Sequence, residues 1–571
     1  MAIELKNFAL FKMLTPLRPY IAAAGAFSFF INILMIVPAI YMLQVYDRAV
    51  GSQSLPTLLM LTLIIVGLLM AMGGLDWVRG QIMSRASARL DEILSERVFE
   101  TTFRYSLYSG GRTTTQPLMD LNGLRSFLGG PSVNAIFDTP WIPVYVLIMF
   151  AFHPYYGIMA IGSVMLLGTL TWVNQRTTQE DLGEANQAQL WANNFATSHL
   201  QNAEVIESMG MLGDVRDRWA HHNQRVIALQ GAAAEKSGMI ASSSKALRIM
   251  LQSLALGLGA YLAINLQISP GMMIAGAILL GRALAPVDQL VGGWRGLQQA
   301  RQQYDRLDEL LSKLPPASEK MNLPAPEGNL SVESIRVVPP GGKVPVLKGV
   351  SFKLKAGGTM GVIGPTAAGK STLARAILGL WPAVMGSVRL DGADIFKWER
   401  AALGRYIGYL PQDIELFDGT ISENIARFGE INSKKIVAAA RLAGVHEMVL
   451  HLPEGYDTII GAAGGALAGG QRQRIGLARA LYGKPRLVVL DEPNSNLDEA
   501  GEGALRTALQ QLKAEGITVV VITHRPSLLS VVDKILVLNE GTAADFGSPE
   551  MIMRKYIRTS GDRQLPGRNV S

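Results

Sequence analysis

The sequence predicts two fold classes in one chain, a helical membrane bundle in the first half and an α/β domain with a mainly parallel sheet in the second. Its 571 residues exceed one ordinary domain, so two or three domains are expected. Hydrophobic residues make up 49% of the chain. The mean hydropathy is +0.22, which is high for a soluble protein, and the apolar residues are concentrated in the first half. From about residue 329, short β-rich runs alternate with helical runs, as in an α/β domain.

About six apolar stretches predict transmembrane helices. Residues 21–45 contain no charged side chain. A helix of that length rises far enough, at about 1.5 Å per residue, to cross a hydrocarbon layer of about 30 Å. The other predicted spans are centred on residues 58–72, 142–152, 157–173, 249–264 and 272–280. The shorter stretches are expected to extend beyond their strictly apolar centres.

The basic residues predict how these spans are oriented. The short connecting segments 46–54, 153–156 and 266–271 carry little positive charge. Two long segments, at about 79–132 and 174–245, contain many arginines: Arg79, Arg85, Arg89, Arg97, Arg104, Arg112, Arg125, Arg216, Arg218 and Arg225. Because basic segments stay on the cytoplasmic side, we expect the long segments and both termini to face the cytoplasm.

The two long segments are rich in helix-forming residues with few breakers, so they are expected to prolong the membrane helices. The prolines that follow predict a stiff linker. The predicted division is an N-terminal amphipathic segment at 1–20, a membrane domain at 21–310, a linker at 311–328, an α/β domain at 329–558 and a polar tail at 559–571.

Composition excludes several classes of function. The net charge of +7 suits a membrane protein whose cytoplasmic segments lie near anionic lipid, and no basic run with interleaved aromatic residues suggests a nucleic-acid partner. The chain contains no cysteine, which excludes disulfides, thiolate metal sites and a cysteine nucleophile. No small-residue cleavage site follows an N-terminal apolar core, so a removable signal peptide is not expected.

Residues 364–371 fit the pattern G-x-x-x-x-G-K-[ST] of a loop that wraps nucleotide phosphates. A strand is predicted before the loop and a helix after it, a setting that a chance glycine-rich turn would lack. Lys370 is expected to pair with the β- and γ-phosphates of ATP, and the Ser371 hydroxyl to coordinate Mg²⁺. The predicted nucleotide-binding residues are Gly364, Pro365, Thr366, Ala367, Ala368, Gly369, Lys370, Ser371, Thr372 and Asp491.

Two later apolar runs end in candidate catalytic residues. The run at 487–490 leads into Asp491 and Glu492, and the run at 519–522 leads to His524. The carboxyl ends of such strands meet where open α/β sheets bind ligands. Asp491 is expected to hold Mg²⁺, and Glu492 to polarise the attacking water.

A further segment lies about 100 residues after the phosphate loop and before the acidic pair. This signature segment comprises Leu467, Ala468, Gly469, Gly470 and Gln471. The order of these motifs resembles that of ABC ATPases. The resemblance implies that Gln412 senses Mg²⁺ and takes part in catalysis, that His524 contacts the γ-phosphate, and that Asp498 belongs to the loop following the catalytic glutamate, the D-loop.

The same resemblance implies that the signature segment caps the γ-phosphate held by another subunit, so that hydrolysis needs two ATPase domains facing head to tail. This chain contains one such domain, and a homodimer is expected. Three positions depart from the family pattern. Ala468 replaces the usual serine, which predicts slower turnover; Pro339 lies near the usual adenine-stacking aromatic; and Ala462 replaces an acidic residue associated with coupling.

A membrane domain followed by an ATPase domain resembles an ABC exporter. Residues 137–143 and 281–290, with Trp294, are similar to segments of bacterial type I secretion transporters, particularly the protease-exporting branch. The resemblance implies ATP-driven export of a polypeptide with an uncleaved C-terminal signal across the bacterial inner membrane. It also implies a membrane-fusion adaptor and an outer-membrane channel as partners.

Two other functions compete with this interpretation, an exporter of lipids or hydrophobic small molecules and an ABC ATPase without transport activity. The apolar spans make the second improbable. Asp138, Arg248 and Arg282 lie close to membrane segments. Each fits either a side chain that faces a cavity or partner or one that snorkels toward the cytoplasm.

Overall fold

The computed structural model describes residues 10, 13–108, 115–130, 132–200, 202–313, 323–461 and 467–556. The chain divides into two compact units, Met1–Phe103 with Thr114–Leu314 and Arg104–Thr113 with Pro315–Ser571. The predicted tail at 559–571, most of the segment at 1–20, residues 314–322 of the predicted linker, Arg112 and Ala462 lie outside the described residues. The last helix of the first unit reaches Lys313, so the predicted linker begins as helix.

The first unit is helical. Its α-helices are α1 (Arg18–Leu34), α2 (Val37–Gln44), α3 (Leu55–Tyr108), α4 (Gln116–Leu128), α5 (Ser132–Asp138), α6 (Ile142–Phe152), α7 (Pro154–Leu200), α8 (Ala203–Ser208), α9 (Leu212–Ile264) and α10 (Pro270–Lys313). A π-helical turn, Val45–Val50, follows α2. Among the described residues, six helical segments are long and apolar enough to cross a membrane: Thr15–Val50, Leu55–Tyr108, Ser132–Phe152, Pro154–Val173, Leu212–Ile264 and Pro270–Trp294. Each contains one predicted span, so the prediction of about six is confirmed.

Three helices extend well beyond their apolar parts, as the helix-forming composition predicts. α3 has 54 residues, α7 has 47 and α9 has 53. At about 1.5 Å per residue, α3 is about 80 Å long, far more than a hydrocarbon layer requires. The expectation that charged segments prolong the membrane helices is therefore confirmed for these three helices.

Small residues allow the membrane helices to pack closely around Tyr156 of α7. The Tyr156 hydroxyl lies 3.3 Å from the carbonyl oxygens of both Ala255 and Met273. A Cβ added at Gly276 would meet the Tyr156 ring at 2.8 Å, and one added at Gly259 would meet Met273 at the same distance. Close helix approach at glycine and alanine is the usual way in which helices associate in membranes, where apolar surface alone gives no preference for protein over lipid.

A buried polar cluster joins α1, α3, α5 and α6. The Asp138 carboxylate accepts hydrogen bonds from Arg79 Nη1 at 3.0 Å and from Asn32 Nδ2 at 2.8 Å. Tyr145 donates to Asn32 Oδ1 at 3.0 Å. Arg79 and Asp138 are only 4% and 7% exposed, so for Asp138 the partner-facing alternative is correct and the snorkelling alternative is wrong. Removing Arg79 would leave the buried Asp138 carboxylate without a compensating charge, whereas Arg79 also pairs with Asp76 at 2.6 Å.

Arg248 also has an acidic partner. Its Nε lies 3.4 Å from Asp288 of α10, and Ser244, one helical turn earlier on α9, donates to the same carboxylate at 3.3 Å. The Arg248 and Asp288 side chains are each about a quarter exposed to solvent. Arg282 is partly buried on α10. The Asp288 carboxylate of α10 therefore joins α10 to α9.

The second unit has the predicted α/β architecture. Its strands are β1 (Leu330–Val337), β2 (Leu347–Leu354), β3 (Thr359–Ile363), β4 (Met385–Leu390), β5 (Ala393–Asp394), β6 (Ile407–Leu410), β7 (Gly419–Thr420), β8 (Ile459–Ile460), β9 (Leu487–Asp491), β10 (Thr518–Ile522), β11 (Lys534–Asn539) and β12 (Thr542–Gly547). The main sheet has the order β12-β11-β3-β10-β9-β6, and all its pairs are parallel except β11 with β12. A four-stranded antiparallel sheet, β2-β1-β4-β5, accompanies it.

The helices of this unit include α11 (Lys370–Ile377), α12 (Arg400–Leu403), α13 (Ile421–Ile425), α14 (Ser433–Leu442), α15 (His446–Leu450), α16 (Gly469–Leu481), α17 (Glu499–Ala514), α18 (Pro526–Leu529) and α19 (Pro549–Tyr556). Apolar layers cover both faces of the main sheet, so its central strands are continuously apolar. Val488 and Leu490 of β9 point into one layer, with α16 and α17, while Leu487 and Val489 point into the other, with α11. The buried sheet holds the strand ends in fixed positions.

Candidate nucleotide-binding site

Three neighbouring parallel strands bring the predicted site residues to one edge of the main sheet. β10 lies between β3 and β9, with Ile522 paired to both Val362 and Asp491. Because the strands are parallel, their carboxyl ends meet at the same edge. The phosphate loop follows β3, Asp491 ends β9 with Glu492 directly after it, and His524 follows β10, which agrees with the position expected for ligands of open α/β sheets.

The phosphate loop turns sharply between β3 and α11. Gly364 has a φ of +155° and Gly369 has a φ of +99°, values that favour glycine. A Cβ at Gly364 would clash with the Leu538 carbonyl oxygen, so only glycine fits there. Ala367 adopts a φ of +65°, a strained conformation for a residue with a Cβ. The strain and the close approach both lie in the segment predicted to surround phosphate.

Lys370 occupies the mouth of this loop. Its Nζ donates to the carbonyl oxygens of Gly364 at 2.8 Å and Pro365 at 3.0 Å, and the residue is 9% exposed. These acceptors are neutral, and a buried ammonium gains more from an anion than from a carbonyl group. The lysine is therefore held where phosphate oxygens of a nucleotide could replace the two carbonyl groups.

Asp491 ends β9 and is 3% exposed. Burial raises the pKa of its carboxyl group, and the neighbouring Glu492 raises it further, while the Ser371 hydrogen bond, Arg375 and Lys370 oppose the rise. The hydroxyl of Ser371 and the carboxylate of Asp491 thus form a pair of adjacent oxygen donors. Such hard oxygen donors fit Mg²⁺, whose charge would also relieve the unfavourable burial of the carboxylate.

Glu492 follows directly and is held by Gln412. Its backbone N–H donates to the Ile522 carbonyl oxygen at 2.9 Å, and its φ is +49°. Gln412 Nε2 donates to Glu492 Oε2 at 3.1 Å, although the two residues are 80 positions apart. The Glu492 backbone is strained, and the Gln412 amide orients the Glu492 carboxylate. This carboxylate is therefore well placed to receive a proton from water.

His524 lies two residues after β10 on the same sheet edge and is exposed. The preceding Thr523 is fully buried and donates from Oγ1 to Asn494 Oδ1 at 2.9 Å. Arg525 N in turn donates to Thr523 Oγ1 at 3.1 Å. These contacts fix the backbone on either side of His524 and leave the imidazole accessible to a ligand.

The signature segment begins α16. Ala468 is its N-cap, and the Ala468 N–H donates to Gln471 Oε1 at 2.9 Å. This is one half of a capping box; alanine cannot supply the other half, in which a side-chain oxygen accepts the N–H three residues later. Leu467 is buried, whereas Ala468 is exposed and Gly469 and Gly470 are partly exposed. The exposed turn is accessible to another molecule.

Asp498 caps α17 by accepting the Gly501 N–H at 2.9 Å, and it pairs with Arg474 at 2.7 Å. The backbone hydrogen bond from Gly501 lowers the pKa of Asp498, and Arg474 contributes to the same effect. Arg474 lies in α16, so this ion pair joins the helix that begins at the signature segment to the helix that follows the acidic pair.

Two further residues at this site belong to none of the sequence motifs. Arg375 of α11 is hydrogen-bonded to Tyr409 and lies near Asp491, and its guanidinium is 4.7 Å from the centre of the Trp381 ring. Gln473 is 1% exposed and contacts the segment after Glu492. In the sequence, Gln473 is surrounded by other polar residues and does not stand out. The one signal for it is that a helical pattern would place this polar side chain on the buried face of the predicted helix.

The structure therefore pairs Ser371 with Asp491 and Gln412 with Glu492, and it arranges the phosphate loop and His524 along the same sheet edge. The roles of these residues in catalysis stay predictions.

Pro339 lies in the turn between β1 and β2, where its carbonyl oxygen accepts the Gly342 N–H at 2.9 Å.

Comparisons with known proteins agree with this arrangement. The ABC transporter family matches residues 347–495, and the ABC transporter transmembrane region matches residues 21–285. A bacterial Atm1-family ABC exporter with ATP bound has the same fold, with a TM-score of 0.84 and 21% identity, covering 97% of this chain and 99% of that one.

Two curated relatives extend the match over nearly the whole chain. The type I secretion system ATP-binding protein PrsD of Rhizobium meliloti is 44% identical, covering 95% of this chain and 93% of its own. The cyclolysin secretion/processing ATP-binding protein CyaB of Bordetella pertussis is 30% identical, covering 92% of this chain and 75% of its own. With its apolar helices and both family matches, this chain belongs to the type I secretion ATP-binding proteins of the ABC transporter family and is a multi-pass membrane ATPase coupled to transport.

Proposed function

We propose that this protein exports a polypeptide with an uncleaved C-terminal signal across the bacterial inner membrane, driven by ATP hydrolysis. The observation that carries the proposal is the 44% identity, over 95% of the chain, to a protein named for type I secretion. A second relative is named for secretion of cyclolysin. The partners would be a membrane-fusion adaptor and an outer-membrane channel, with both termini of this chain in the cytoplasm and the domain boundaries as predicted from the sequence.

ATP binding is assigned to the loop between Gly364 and Ser371. Its backbone N–H groups and the N-terminus of α11 attract phosphate, and Lys370 would exchange its two carbonyl acceptors for phosphate oxygens. Ser371 and Asp491, with Gln412 nearby, would hold Mg²⁺ at the phosphates. When bound, Mg²⁺ supplies neutralisation of the charge that develops on the transferring phosphoryl group.

Hydrolysis is assigned to Glu492 as the residue that polarises water. Gln412 restrains its carboxylate by the 3.1 Å hydrogen bond, and the Glu492 backbone has a strained φ of +49°. His524 would contact the γ-phosphate from the end of β10. Asp491 and Glu492 therefore have separate tasks, since one is buried beside Ser371 and the other is partly exposed beside Gln412.

Two copies of the chain are proposed to form the working ATPase. The signature turn at Ala468–Gly470 is accessible and starts a helix, so its N–H groups can bind a phosphate presented by a partner subunit. Without the serine hydroxyl, one hydrogen bond to a charged group is missing, and such bonds contribute about 1.5–3 kcal/mol. We therefore infer slow but measurable turnover.

Reconstitution of the full chain in lipid vesicles tests the proposed substrate class. ATPase activity should rise when peptides from the C-terminus of a candidate secreted protein are added together with the adaptor, and scrambled peptides of the same composition serve as the control. If no candidate peptide changes the activity but lipid is flipped or a hydrophobic compound is exported, the chain is an exporter of lipids or small molecules.

A further inference from the structure

The helix that carries the signature segment packs directly against the residues that follow Glu492. A Cβ added at Gly470 would lie 2.8 Å from the carbonyl oxygen of Asn496, and one at Gly469 would lie 3.8 Å from the Asn496 side chain. Gly470 therefore permits a close approach between α16 and the loop 493–498, whereas a Cβ at position 469 would make only an ordinary van der Waals contact. This proximity exists within one chain and does not depend on a partner.

Gln473 makes the connection specific because both ends of its amide are bonded to this loop. Its Oε1 accepts the Asn496 N–H at 3.0 Å, and its Nε2 donates to the Pro493 carbonyl oxygen. At 1% exposure, Gln473 has little access to water that could replace either bond. The loop is thereby held at two points by one side chain of α16.

Pro493 directly follows Glu492 in the chain. A movement of Gln473 that displaces Pro493 would therefore also displace Glu492. Glu492 is also held by its N–H bond to Ile522 and has a strained φ of +49°. At the far end of the loop, the Arg474–Asp498 ion pair, at 2.7 Å, joins α16 to the start of α17. The loop is therefore attached to the signature helix at both of its ends.

We propose that Gln473 is a positioning residue that couples the signature segment to Glu492 of the same chain. This inference rests on the proposed homodimer, in which the signature segment serves the partner subunit's nucleotide. Closure of the segment on that nucleotide moves α16, and Gln473 transmits the movement through Pro493 to Glu492. Each ATP site then hydrolyses at a rate that depends on whether the other site is occupied and active.

Two substitutions separate this role from a purely structural one. Gln473→Met keeps the length and volume of the side chain and removes both hydrogen bonds. Gln473→Glu keeps the acceptor for the Asn496 N–H and loses the donor to Pro493. Gln510→Ala, on the exposed face of α17, is the matched control. All three proteins should bind ATP with a Kd within about twofold of the native value, because Gln473 does not touch the phosphate loop.

The test uses full-length mixed dimers, isolated with two affinity tags, in which one subunit carries Glu492→Gln. With native Gln473 or the Gln510→Ala control, the mixed dimer should hydrolyse ATP far more slowly than half the rate of the unmixed dimer. In the second comparison, both subunits carry Gln473→Met. The dimer that also carries Glu492→Gln in one subunit should then retain about half the activity of the dimer without Glu492→Gln. Gln473→Glu should give an intermediate fraction.

The outcomes distinguish this inference from the proposed dimer. If the native mixed dimer falls far below half and the Gln473→Met mixed dimer falls equally far, the coupling does not pass through Gln473 and the inference is overturned. If no complex carries both tags, or if the native mixed dimer already retains half the activity, the proposed interdependence of two subunits is itself wrong. A loss of thermal stability alone would not change the ratio of mixed to unmixed activity.

Discussion

Gln412 Nε2 donates a hydrogen bond to Glu492 Oε2 at 3.1 Å, joining the second residue after β6 to the first residue after β9. β6 and β9 are adjacent parallel strands, and their pairing places both side chains at the same sheet edge. The bond fixes one carboxylate oxygen and leaves the other for water. This geometry favours Glu492 over the buried Asp491 as the proton acceptor.

Glu492→Gln should abolish most ATP hydrolysis while preserving ATP binding. An amide cannot accept the proton from water, and loss of a positioned general base lowers rates by about 10²–10⁴-fold. Steady-state ATPase assays and nucleotide-binding titrations on the same preparation measure the two effects. Glu499→Gln, on the exposed start of α17, is the control. Turnover at the native rate in the Glu492 variant would remove this residue from the mechanism.

Lys370→Ala should weaken ATP binding by about 10- to 100-fold, because a charge-assisted hydrogen bond contributes about 1.5–3 kcal/mol. The Kd for ATP in equilibrium titration is the quantity to measure. Lys353→Ala removes an exposed lysine from β2 and should leave the Kd unchanged. An unchanged Kd in the Lys370 variant would show that the ammonium does not reach the phosphates.

Ala468→Ser should increase turnover by up to about 10- to 100-fold, since it restores a hydroxyl that can bond to a charged phosphate. The same hydroxyl completes the N-cap of α16, which stabilises a helix by about 1 kcal/mol. The ATPase rate and the thermal midpoint of unfolding should therefore both rise. Ala468→Gly supplies no hydroxyl and serves as the control. A rise in thermal midpoint without faster hydrolysis would limit the effect of the missing hydroxyl to helix capping.

The Asp391 carboxylate should make the stability of the α/β unit depend on pH. Burial raises the pKa of its carboxyl group, but hydrogen bonds from Gly328, Asn329 and Glu327 outweigh burial, and the net pKa is lowered. A lowered folded-state pKa means that stability is present above the unfolded pKa of about 3.9 and is lost as the pH falls through the folded value.

Asp391→Asn should therefore reduce the free energy of unfolding at pH 7 by about 1 kcal/mol, a modest figure because the side chain is exposed. The positive φ of +51° is tolerated by asparagine, so backbone strain does not contribute. Thermal unfolding from pH 7 to pH 3 should show the difference shrinking below about pH 4. Asp394→Asn, which removes the charge from a carboxylate that accepts only one backbone N–H, that of Phe396, should have a smaller effect. A difference that persists unchanged at pH 3 would contradict the assignment.

The sequence was sufficient to predict the spans and the strand-loop-helix around Lys370 because both depend on local patterns. An uncharged run of sufficient length indicates a membrane helix, and the glycines at 364 and 369 belong to a recognisable loop pattern and adopt positive φ values that glycine tolerates. The roles assigned by family resemblance to His524 and Asp498 still await experiment.

Contacts between distant polar residues could not be predicted in this way. Arg79 and Asp138 lie 59 residues apart, and neither sits in a pattern that names its partner. Gln473 follows Gln471 and Arg472 in a polar run, so the sequence does not separate the buried amide from its exposed neighbours. Which side chain contacts the loop after Glu492 depends on how α16 is rotated against that loop, and tertiary packing decides this rotation.

The most direct test of the proposed two-subunit ATPase compares lipid nanodiscs that contain one copy of the chain with nanodiscs that contain two. ATP turnover per chain should be close to background with one copy and should appear with two, because each signature segment is expected to complete the partner subunit's site. Equal turnover per chain in both preparations would contradict the proposal that two copies share their active sites.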